Sequence, residues 1–166
     1  MTAFVDNLIT GNYEDSNPAL DHSKELGFNL NLPSRMVVVE IHDPEVRLPP
    51  MPGAPQSDNW IQIIRRRAEQ MPLGNAKMII VYRDKHLVSI LQDPEDHSTR
   101  RFCELAERLK DNLENNYPHL IFTLGVGSVC RSANDYARSF KSACKIIELG
   151  VSLHRRGQVL SLEQFS

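Results

Sequence analysis

The chain has 166 residues, a formal net charge of −2, 41% hydrophobic and 24% charged residues. That length fits one domain with room for a real core, and the near-neutral balance excludes a whole-domain basic footprint for nucleic acid. No apolar run approaches the ~18 residues of a membrane span and no secretory leader opens the chain, so a cytoplasmic protein is expected. The three cysteines, Cys103, Cys130 and Cys144, are odd in number and form no Cys-x-x-Cys pair. They are read as reduced thiols in or near the core.

A short helix is expected over Ala3–Ile9, with Thr2 as its cap and Phe4 and Leu8 on one face. A second follows, with Asn17 able to cap, Pro18 at the first helical position and Gly27 as a left-handed stop after Leu26. Residues 1–33 are thus a helical lead-in, and 34–166 the domain proper. The first strand spans Arg35–His42, and its Met36-Val37-Val38-Val39 run calls for burial on both faces. Pro44, Pro49, Pro50, Pro52 and Pro55 then make a stiff surface loop; Pro49-Pro50-Met51-Pro52 is also a polyproline-ligand pattern. A helix from Asp58 to Met71 carries the stripe Trp60, Ile64, Ala68 and Met71 and stops at Pro72, with Arg65, Arg66 and Arg67 on its solvated side.

Ala76–Leu91 reads as a β-hairpin: two β-branched apolar runs around a turn at Arg83, Asp84 and Lys85. Asp93 caps and Pro94 opens the next helix, with Glu95 and Asp96 in its first turn, the stripe Phe102, Leu105, Leu109 and Leu113, and a stop at Pro118. A strand at Leu120–Gly125 comes next. Ser132 with Asp135 resembles a capping box opening the longest helix, Ala133–Arg156, with Tyr136, Phe140, Cys144, Ile147 and Val151 on one face. Gly157 ends it, and Gln158–Leu162 forms a short edge strand. This order predicts an α+β fold with a ferredoxin-like βαββαβ core, an antiparallel sheet with helices packed on one face.

Chemistry is sparse. His22, His42, His86, His97, His119 and His154 have no partners at metal-ligand spacing. Gly125-Val126-Gly127-Ser128 is not a phosphate-binding glycine motif; such glycines let a strand pack closely on a following helix. Glu40, Asp43 and Glu45 cluster at the end of the first strand, where carboxylates could hold Mg²⁺, but they are read in preference as solvated acids at a strand terminus. No cofactor or metal is assigned.

Several phrases, in order, resemble the central domain of the carbohydrate diacid regulator (CdaR) family, within the PucR group of bacterial transcription regulators. Phe4-Val5-Asp6-Asn7-Leu8-Ile9 and Leu26-Gly27-Phe28-Asn29-Leu30 resemble its lead-in, and Met36-Val37-Val38-Val39-Glu40 its first strand. Gly125-Val126-Gly127 followed by Tyr136-Ala137-Arg138-Ser139-Phe140-Lys141-Ser142-Ala143 resembles its most specific stretch, and Val159-Leu160-Ser161 the strand before its DNA-binding part. The resemblance implies a nucleotide-cyclase-like fold related to diguanylate cyclases, which keep Gly-Gly-Asp/Glu-Glu-Phe in the hairpin turn. Here Asp84-Lys85-His86-Leu87-Val88 stands in that place, so the implied domain is GGDEF-like but degenerate and not an enzyme. The same resemblance implies a silent module relaying a signal, or mediating self-association as a homodimer, between an effector domain and a helix-turn-helix. DNA would be bound only through that further domain, and the chain ending at Phe165-Ser166 is read as a fragment. The competing expectation is a sensor of a nucleotide or dicarboxylate in the remnant cleft, with Glu40, Arg83, Lys85, His86 and Arg131 as ligand contacts.

Overall fold

The computed structural model describes residues 2–11, 21, 23–44 and 59–164. The polyproline run, Glu45, His22 and most of the helix expected after Asn17 lie outside them. The elements are α1 (Thr2–Thr10), β1 (Ser34–His42), α2 (Asn59–Glu69), β2 (Lys77–Arg83), β3 (His86–Gln92), α3 (Thr99–Asn116), β4 (Ile121–Cys130), α4 (Tyr136–Ser152) and β5 (Val159–Ser161), with 3-10 turns at Ala133–Asp135 and Leu162–Gln164. The strands lie in the order β2-β3-β1-β4-β5, antiparallel throughout except that β5 runs parallel to β4. This is the expected α+β sheet with helices packed on it.

The helices cover both faces rather than one. Val37 and Val39 of β1 join Ile64 of α2 and Phe102, Leu105 and Leu109 of α3 in one cluster. Met36 and Val38 join Phe4 and Leu8 of α1 and Tyr136, Ala143 and Ile147 of α4 in the other. Side chains alternate across a strand, so a continuous apolar run needs cover on both sides, and β1 receives it. The lead-in shares this core. Phe4, Val5, Leu8 and Ile9 are all buried, each stabilising by roughly 1.5–3 kcal/mol.

The bounds of three elements differ from those expected. Helix α3 begins at Thr99, because Ser98 is the cap, its hydroxyl accepting the Arg101 N–H at 3.1 Å. Asp93 shapes a turn instead, its carboxylate accepting the N–H groups of Glu95 (2.8 Å) and Asp96 (3.3 Å) and the Arg101 Nε–H (2.6 Å). Burial pushes that carboxyl up, but these donors outweigh burial and hold it below the ordinary 3.8. Strand β4 runs on past Gly125 to Cys130. Helix α4 starts at Tyr136, since Ser132 makes no side-chain cap and Asp135 accepts the Arg131 N–H (2.8 Å) across a 3-10 turn. It stops at Ser152, where His154 takes φ +57 and the Arg155 N–H returns to the Gly150 carbonyl at 2.7 Å. Among the described elements α3, with 18 residues, is therefore the longest helix, ahead of α4 with 17.

Helix α4 lies on β4 at glycine-permitted distance, as the Gly125-Val126-Gly127 pattern led one to expect. A Cβ on Gly125 would strike the Ala143 carbonyl oxygen and approach Ile146 Cγ2 to 2.8 Å; one on Gly127 would strike the Ser139 backbone. Hydrogen bonds fix the contact. Ser139 Oγ donates to the Ser128 carbonyl (2.6 Å) and accepts the Met36 N–H (3.2 Å), and Ser142 Oγ accepts the Ser128 N–H (3.0 Å). The Ser34 and Tyr136 hydroxyls are hydrogen-bonded as well. The small residues Ser139, Ala143 and Gly150 thus turn inward with Ile146 and Ile147, while Phe140, Cys144 and Val151 of the expected stripe are only half-buried. Gly125→Ala should lower the unfolding free energy by about 2 kcal/mol, as overpacking does, measured by urea denaturation. A change near zero would mean that α4 can shift outward freely.

Candidate functional site

The hairpin turn is two residues long. Asp84 (φ 50) and Lys85 (φ 70) both occupy the left-handed region, as a type I′ turn requires. Neither is glycine, so each carries a conformational cost of roughly 1–2 kcal/mol. The His86 Nδ1 lies 2.9 Å from the Asp84 carbonyl and closes the turn on itself.

Register then aligns the polar residues around it. Arg83 pairs with His86, His86 with Glu40, and Glu40 with Thr123, one from each of β2, β3, β1 and β4. Alternation puts all four on the face covered by α1 and α4. One step inward the same strands present Val81, Val88, Val38 and Gly125. A polar rung therefore ends the apolar face at the hairpin side of the sheet. Three members are tied to other parts of the chain, one to α1 and two to the loop after α4. Arg83 donates to Asp6 of α1 at 2.6 Å and lies over the Phe140 ring of α4, 5.9 Å from its centroid. Glu40 accepts from Arg156 Nε at 3.0 Å, and Thr123 Oγ1 accepts the Gly157 N–H at 2.9 Å.

Of the residues singled out from sequence, Glu40 and His86 meet. They line a groove of roughly 430 Å³ with Val38 and, from α4, Cys144, Ile147, Glu148, Val151 and Ser152. Arg83 shares the face but is engaged by Asp6. Lys85 sits exposed on the turn. Arg131 does not converge with the others. It follows Cys130, which pairs with Ser34 at the opposite end of β1, six residues from Glu40 and so roughly 20 Å away. The positive charge expected in the cleft is thus dispersed, and the groove carries the carboxylates of Glu40 and Glu148. Burial pushes the Cys144 thiol up and nearby Glu148 adds to this, so the groove offers a thiol and not a thiolate at neutral pH. Cys130, deeper in the core, is pushed up to about 12. Among the described residues no group of three His, Cys, Asp or Glu side chains is placed to hold a metal ion.

Asp6, Thr123 and Arg156 are the site residues that sequence reasoning passed over. Asp6 and Arg156 reach Arg83 and Glu40 across 77 and 116 positions, and only the register reveals them. Glu148 carried a signal: it lies four residues after Cys144, one helical turn along the same stripe.

The family model of the GGDEF-like domain matches residues 10–149. The chain belongs to the GGDEF-like domain family. Among curated proteins none matches it. In this GGDEF-like domain the hairpin has β1 beside it, and α4 lies over the groove that His86 and Glu40 line. Among its described residues no helix is long and apolar enough to cross a membrane.

The turn itself is open to test. Lys85→Gly removes the left-handed penalty while adding unfolded-state entropy, and should raise stability by about 0.5–1 kcal/mol, read as a higher denaturant midpoint. A lower midpoint would show that the Lys85 side chain supports the turn.

Proposed function

We propose that this GGDEF-like domain is a non-catalytic relay module of a bacterial transcription regulator of the sugar-diacid (PucR) type. In that reading it joins an effector-binding domain to a helix-turn-helix and self-associates as a homodimer in the cytoplasm. The observation that supports it is the polar rung. A cyclase of two nucleotides needs carboxylates free to hold metal ions and a backbone open to a triphosphate. Here Glu40 faces Arg156, Arg83 is committed to Asp6, and the turn carries the side chains of Asp84 and Lys85. The groove beside the rung carries the Glu148 carboxylate and offers no unpaired cation among its described lining residues, a poor match for phosphate. The residue phrases resembling the regulator family supply the rest of the assignment.

Incubation with GTP and Mg²⁺ should yield no cyclic dinucleotide above a no-protein control; product formation would overturn the non-catalytic reading. Sedimentation of the purified chain at rising concentration should show a monomer–dimer equilibrium. A monomer throughout would remove self-association from the proposal.

A further inference from the structure

A second groove, on the other face of the sheet, has the features of a ligand site. Trp60, Ile63, Ile64 and Arg67 form one stripe along α2, at helical spacing. They face Tyr117, His119 and Leu120, where α3 ends and the chain turns into β4. Together these residues enclose roughly 260 Å³. Two polar atoms here are buried without a hydrogen-bond partner: the Trp60 indole Nε1 and the Tyr117 hydroxyl. Buried indole and phenol groups normally find partners, and leaving one unsatisfied costs about 1–3 kcal/mol. The charge of the groove has one sign. The Arg67 guanidinium lies over the Tyr117 ring, 5.7 Å from its centroid, His119 stands alongside, and no carboxylate is among the described lining residues.

Two donors lacking an acceptor, a guanidinium beside them and an apolar wall describe the complement of one ligand class. We propose that this groove binds a small carboxylate with a flat apolar body, such as an aromatic acid. The ring rests on Ile64 and Leu120. The carboxylate accepts from Trp60 Nε1–H and the Tyr117 hydroxyl, with Arg67 supplying the charge that makes these bonds strong. Ile63, 49% exposed, has room to turn aside as the acid group enters. Amines are excluded by the same charge. The site shares no residue with the polar rung and stands apart from the relay reading.

Trp60 is the single tryptophan of the chain, so its fluorescence reports on this groove alone. Titration of the whole chain with benzoate should give a saturable change in that emission, and benzylamine at the same concentrations should give none. Arg67→Gln alters an exposed side chain and should leave the unfolding midpoint in place while weakening benzoate about tenfold, as loss of one charge-assisted contact does. Tyr117→Phe should weaken it to a similar degree. The proposal is overturned by the absence of a saturable benzoate response, by an equal response to benzylamine, or by unchanged benzoate affinity in both variants.

Discussion

The approach of α4 to β4 is the constraint on which the rest of the fold depends. With Gly125 and Gly127 bare, the helix backbone settles onto the strand, and Ser139 and Ser142 replace side-chain packing with hydrogen bonds to the sheet. That closeness fixes the height of α4 above β1. It therefore fixes where Glu148 and Cys144 stand relative to Glu40 and His86, and where Phe140 offers its ring to Arg83. It also leaves the face beside α4 free for α1. A helix set further out by even one methyl layer would fill that space differently.

The groove at the hairpin is a consequence of this geometry more than of any catalytic residue. Its floor is apolar, and the ionic groups of the rung at its rim are engaged by other parts of the chain. Arg83 and Glu40 are each partly exposed, so neither ion pair contributes more than the modest amount usual for surface pairs. What they supply is position: one ties the hairpin to α1, the other ties β1 to the loop beyond α4.

Much of this was legible in the sequence, and the failures have physical causes. The Met36–Val39 run announced a doubly covered strand, and the β-branched runs around Asp84-Lys85 announced a hairpin. Gly125 and Gly127 announced close helix packing. The helices were expected on one face only, because helical stripes show which side of a helix is buried but not which face of the sheet it packs on; α1 and α4 take the second face. For α1, Phe4, Val5, Leu8 and Ile9 suffice, since a nine-residue helix needs only one buried stripe. The start of α3 was misplaced because Asp93 and Ser98 are both good caps; the choice fell to Arg101, which draws the Asp93 carboxylate into a turn. That Arg83, Lys85, His86 and Arg131 do not converge was beyond reach, because spacing along the chain does not show which end of a strand faces which.

The burial of α1 has a mechanical meaning. A leading helix held only by its own hydrogen bonds would act as a slack tether, absorbing tension or torque before any reached the body of the domain. Here α1 is wedged by four apolar side chains against the sheet and α4, and pinned at Asp6 to the hairpin. A load applied at Thr2 is carried directly into α4 and, through the serine contacts, into the central strands.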